Sequence, residues 1–236
     1  MSAGRPTADL VSELADGLEP VRPIPALRWQ LASLAVAWFL TALVVAAWQG
    51  LHPAAVLDRG VSSAGIAIGL VLLAGSALAT ALATRIPGRE PAVLIAMGGG
   101  VLSLGLLLAV WIGLIGTSAG AIFHAAEDLR CVGHASLFSA PSGLVAGFLA
   151  ARGVAWRPVT TGFTLALGAA AGGALLTHLS CQSSDPWHWL FGHAVGPLAI
   201  GVVGGALLAW WFGRRPLAAG EISASVSTIA AGSEPE

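Results

Sequence analysis

Residues 63–84 read SAGIAIGLVLLAGSALATALAT, twenty-two residues with no charge and only serine, threonine and glycine among the aliphatic side chains. An α-helix rises about 1.5 Å per residue and needs roughly 20 apolar residues to cross the hydrocarbon core of a bilayer. The stretch therefore has the length of one crossing. A membrane barrel, the other way to satisfy backbone groups in lipid, needs shorter segments that alternate apolar and polar residues, and this one does not alternate.

The same reading extends in both directions to residues 29–49, 92–115, 132–151, 158–178 and 188–212. Over the whole chain 56% of residues are hydrophobic and 10% are charged, where a soluble domain carries about 25% charged residues. The expected fold class is thus an all-α integral membrane protein, a bundle of six transmembrane helices spanning residues 29–212. Residues 1–28 and 213–236 flank it. The first 28 residues hold acids and prolines without a basic start or a short apolar core, so they do not read as a signal peptide. The first apolar run serves as its own insertion signal.

Arginine sets the orientation, because the chain has no lysine. Arg5, Arg22 and Arg28 precede the first run, Arg85 and Arg89 separate the second and third, Arg152 and Arg157 separate the fourth and fifth, and Arg214 and Arg215 follow the sixth. Only Arg59 and Arg130 fall on the other side. The positive-inside rule then places both termini in the cytoplasm, in a multi-pass protein of the bacterial inner membrane.

With that topology every histidine and both cysteines lie towards the outer face. The cytoplasmic face keeps arginine and acids only, which offers no group for nucleophilic or acid–base chemistry near neutral pH, and no enzymatic activity is expected. Cys131 with His134, and His178 with Cys181, are pairs three residues apart that share a helix face. Together they could form a Cys2His2 set for zinc, copper or a similar ion. His188 and His193 are further candidate ligands, and His193 lies deep enough in the sixth run to need a partner inside the bundle. A disulfide between Cys131 and Cys181 is an equally direct reading in an oxidising compartment, and such a bridge could serve only to clamp two loops. Eight of the nine tryptophans, Trp29, Trp48, Trp111, Trp156, Trp187, Trp189, Trp210 and Trp211, sit near the ends of the runs as an interfacial belt does. Gly65 with Gly69, Gly143 with Gly147, Gly168 with Gly172 and Gly201 with Gly205 are spaced for close helix packing.

Outside the membrane, residues 7–19 form an amphipathic helix with Leu10, Val11, Leu14 and Leu18 on one stripe and Asp9, Glu13, Asp16 and Glu19 around it. Helices that lie on membranes carry basic polar faces, so an acidic one is better suited to a protein partner. Pro20, Pro23 and Pro25 follow as a stiff spacer. Residues 1–28 thus read as a cytoplasmic partner-binding segment, and the tail to Glu236, rich in Ser, Ala and Gly, as disordered.

Asp9-Leu10 through Leu14-Ala15 to Pro20-Val21-Arg22, with Pro25 and Arg28, resembles the N-terminal signature of the NrsF-type membrane anti-sigma factors, negative regulators of extracytoplasmic-function sigma factors. The likeness continues in Cys131 after the third run and in His178, Cys181, Asp185, Trp187, His188 and His193 around the end of the fifth. The resemblance implies that Leu10, Val11, Leu14, Leu18, Pro20, Val21 and Arg22 hold a sigma factor at the bilayer, and that Cys131 and Cys181 sense a metal ion or an oxidant and release it. It implies no required cofactor beyond such an ion and no direct contact with nucleic acid. The competing reading is a small transporter or channel, a metal ion being one candidate cargo; coupled transport leaves ionisable groups in mid-membrane, and the six runs have none there. A thiol oxidoreductase would use a C-x-x-C pair, whereas these cysteines are fifty residues apart.

Overall fold

A computed structural model describes residues 25–84, 88–117, 125–152 and 157–214. The amphipathic segment, including Leu10, Val11, Leu14, Leu18, Pro20, Val21 and Arg22, lies outside the described residues, as do His124 and the C-terminal tail. Six helices are long and apolar enough to cross a membrane. They are α1 (Leu27–Trp48), α3 (Val61–Ala83), α4 (Glu90–Thr117), α5 (Ala125–Ala151), α6 (Pro158–Ser180) and α7 (Pro186–Gly213), with a short helix α2 (Pro53–Asp58) after α1. No strand occurs among the described residues.

Burial separates the six into a centre and a rim. In α6 and α3, 67% and 61% of the most apolar stretch is buried, against 17% in α1 and in α4. Helix α6 packs against α7, α3 and α5; α4 leans on α3, and α1 leans mainly on α5. Small residues set these approaches. A Cβ on Gly173 of α6 would run into the Ala135 carbonyl and the Ser139 amide of α5, and one on Gly162 into the Ala209 backbone of α7. Gly65 and Gly69 seat Val110 and Leu107 of α4, Gly172 seats the Trp38 indole of α1, and Gly201 and Gly205 face Ala170 and Phe163 of α6. Gly147 has open space around it, so of the four spaced pairs the one in α5 makes the loosest contact.

Two features differ from the hydropathy reading in ways that matter for the site. Helix α5 begins at Ala125 rather than at residue 132, because Glu127, Asp128 and Arg130, outside the apolar run, form its first two turns. Acids suit a helix N-terminus, and Asp128 is buried. Helix α7 is not regular. Between Trp189 and Val195 it widens into a π turn, in which the Gly196 amide donates to the Phe191 carbonyl five residues back. Pro197 follows at once; it has no amide hydrogen, and its ring would crowd the His193 carbonyl four residues earlier in a regular helix. A widened turn relieves that conflict.

Candidate metal centre

Four side chains converge where the start of α5, the end of α6 and the start of α7 meet. Cys131 comes from the second turn of α5, Cys181 from the residue that caps α6, His188 from the start of α7 and His193 from its π turn. One ligand atom from each lies within 4.8 Å of all the others. His188 Nε2 is 3.4 Å from the Cys131 Sγ and 3.5 Å from the Cys181 Sγ. The rings of His188 and His193 meet edge to face at 5.0 Å.

The hydrogen bonds behind the two imidazoles fix which nitrogen faces the thiols. His188 Nδ1 is 2.6 Å from Asp128 Oδ1; a carboxylate accepts, so Nδ1 carries the proton and Nε2 presents a lone pair to the sulfurs. His178 Nε2 is 3.1 Å from the Ser63 carbonyl and must donate to it. His178 Nδ1 is then an acceptor, and His193 Nδ1, at 3.0 Å, donates to it. That leaves His193 Nε2 unprotonated, fully buried and without a hydrogen-bond partner. A buried polar atom left so costs about 1–3 kcal/mol, and a ligand in the cluster would remove the cost.

The donor chemistry fits a soft or borderline ion. Two thiolates and two neutral imidazoles make a tetrahedral Cys2His2 set, and a carboxylate behind a ligating histidine is the usual outer-shell support of such sites. With zinc–ligand bonds near 2.0–2.3 Å, tetrahedral ligand atoms stand about 3.3–3.8 Å apart, so the cluster needs only a modest contraction to close on an ion. The hydrogen bond from the Cys131 thiol holds the Cys181 thiol far below the ordinary thiol range, which keeps it as the thiolate that metals bind. The backbone of Cys181 is held by Arg59, whose Nη2 donates to its carbonyl at 2.7 Å, while the Ser183 amide donates to its sulfur at 3.4 Å.

Of the six candidate ligands, Cys131, Cys181, His188 and His193 come together. His178 stands one layer back, between His193 and Ser63. His134 turns to the end of α1, where its Nδ1 lies 3.3 Å from Gln49 Nε2, and its ring stacks on Phe138 of its own helix. His52 is exposed. Trp189, assigned from sequence to an interfacial belt, is instead 2% exposed, packed with Ile66, Leu70 and Ala174, and donates from Nε1 to the Ser183 carbonyl at 2.8 Å. Asp128 was not among the candidate ligands, and the clue to it was its place three residues, about one helical turn, ahead of Cys131.

Residues 14–214 match the family described as NrsF, negative regulator of sigma F. The chain belongs to that family. No curated protein and no solved structure matches it. The NrsF family is named for negative regulation of a sigma factor, which makes a sigma factor the indicated partner and a regulatory rather than enzymatic role the indicated one.

Proposed function

We propose that this NrsF-family protein is an anti-sigma factor of the bacterial inner membrane, inserted through its six apolar helices with both ends in the cytoplasm. Residues 1–28 sequester an extracytoplasmic-function sigma factor, and a metal ion bound by Cys131, Cys181, His188 and His193 at the outer end of the bundle releases it. The observation that carries the sensing half is the orphaned His193 Nε2 beside two cysteines and an Asp128-supported imidazole. The positive-inside count supports the orientation.

In this reading a zinc or copper ion supplies charge and directional bonds that the two thiols and two imidazoles cannot supply to one another. The chain's own groups prepare for it: Asp128 and His178 aim the imidazoles, and Arg59 holds the Cys181 backbone. An oxidant is the second reading. The sulfurs are close enough to join after a small movement, a step in which the Cys131 thiol and the Cys181 thiolate pass two electrons to the oxidant and release one proton.

The test is retention of the sigma factor on membranes carrying the full chain, with and without zinc or copper salts. Retention should fail in a Leu14→Asp, Leu18→Asp variant whatever the metal. In Cys131→Ser it should persist and no longer respond to metal. Retention that ignores the leucine changes would sink the sequestration half; release that ignores Cys131 would sink the sensing half.

A further inference from the structure

Helix α1 carries the segment before it, yet neither cysteine is on α1. The two cysteine-bearing elements nonetheless both hydrogen-bond to one side chain at the end of α1. Gln49 is the residue that ends α1, and its side chain makes two hydrogen bonds: its Nε2 donates to His134 Nδ1 at 3.3 Å, and its Oε1 accepts from the Ser180 hydroxyl at 3.1 Å. His134 is three residues past Cys131 on α5, and Ser180 directly precedes Cys181. One planar amide therefore links a residue one turn past Cys131 to the residue just before Cys181.

Neighbouring contacts clamp this end of α1 to the same two elements. Trp48 meets His134 and Phe138 edge to face at 5.7 and 6.2 Å, and the His52 amide donates to the Leu179 carbonyl at 2.8 Å. Further along α1, apolar packing takes over: Val45 with Phe138 and Leu176, Trp38 on Gly172, and Leu34 among Leu78, Leu82 and Leu149.

We propose that Gln49 is the coupling residue between the Cys/His site and α1, so that drawing Cys131 and Cys181 together moves α1 through the His134–Gln49–Ser180 bridge. The idea rests on the sensing reading above and adds the route. The four ligand atoms lie within 4.8 Å of one another, and a tetrahedral spacing of about 3.3–3.8 Å asks the widest of these gaps to close by up to about 1 Å. Hydrogen bonds at 3.1 and 3.3 Å do not absorb such a change, because they fail beyond about 3.5 Å. The bridge either shifts with its partners or breaks, which gives α1 two discrete settings rather than a graded drift. A ligand moves such an equilibrium only through its unequal affinity for the two settings.

The experiment uses the full chain in lipid nanodiscs, titrated with copper(I) and separately with zinc(II), and reads amide hydrogen exchange over residues 27–34 at the far end of α1. In the natural sequence metal should change that exchange about tenfold, within the usual range for coupled sites. Gln49→Leu keeps the bulk and removes both hydrogen bonds; it should bind the metals with near-natural affinity and lose the exchange response. His134→Phe keeps the ring stacking on Phe138, cuts one arm, and should lose it too. The proposal is overturned if the response survives in both variants, if metal binding leaves the exchange of the natural sequence unchanged, or if both variants lose metal binding itself. Failure of the natural sequence to bind either metal would remove the sensing reading along with the relay, and the titration alone distinguishes that case.

Discussion

The two ends of the bundle are built from different forces. At the end that carries Cys131 and Cys181, the apolar contacts between helices are joined by hydrogen bonds with fixed partners: Asp128 to His188, His193 to His178 to Ser63, Gln49 to His134 and Ser180. At the arginine-bearing end the contacts are Leu34, Leu78, Leu82, Ala146, Leu149, Leu165 and Phe212, with the Thr84–Thr161 hydroxyl pair at 3.0 Å as a polar exception. Dispersion contacts are many, weak and undirected, so an apolar interface repacks in small steps. Hydrogen bonds are made or lost over a few tenths of an ångström. A ligand acting at the polar end meets discrete alternatives, and the apolar end can follow.

The contrast is open to attack at both ends. The largest effect should come from Cys181→Ser, which removes a ligand and should weaken copper(I) and zinc(II) binding by more than the roughly 10–100-fold that outer-shell losses cause, as read by chelator competition with helix content unchanged. Asp128→Asn should fall inside that 10–100-fold range, because both thiols stay while His188 loses its carboxylate; an affinity equal to that of the natural sequence would remove Asp128 from the site.

The depressed Cys181 thiol gives a smaller, pH-resolved effect. An ordinary thiol alkylates about tenfold faster per pH unit below its titration point, whereas Cys181 in the metal-free protein should react at a nearly constant rate from about pH 6 to about pH 8, since it is already thiolate. Its value is lower folded than unfolded, so the linked stability is present above the unfolded value and fades as pH falls towards the folded one. A rate that climbs with pH like that of a free thiol would refute this. Least of all, Thr84→Val at the apolar end should cost about 0.6 kcal/mol, the average for a hydrogen bond between membrane helices, and leave metal affinity unchanged. A change in affinity there would mean that the two ends are not separable in this way.

Much of the bundle was legible because apolar length is a direct physical requirement of a bilayer: five of the six helices begin within two residues of the reading from hydropathy. The exception is α5, whose charged first turns hid a buried Asp128. The cysteines and all four eventual cluster members were visible as residue types, but their grouping was not. Pairing by three assumed that Cys181 continues the helix of His178, whereas α6 ends at Ser180 and Cys181 turns to extended backbone with ψ near 136°. His134 does lie one turn from Cys131, and its ring is claimed by Gln49, Phe138 and Trp48. His188 and His193 are five residues apart, which in a regular helix at about 100° per residue points them roughly 140° away from each other. Pro197 was the signal for the widened turn that brings them together.

That π turn also gives α7 two independent phases. The residues before it are timed to the cysteines, and those after it are timed to α6, where Gly201 meets Ala170 and Gly205 meets Phe163. A regular helix has one clock, and with 188 and 193 both aimed at the sulfurs it could not also keep 201 and 205 on the α6 seam. Deleting a single residue such as Ala194 would reset that clock, and α7 would have to forfeit either the histidine pair or the glycine seam while every ligand remained in the sequence.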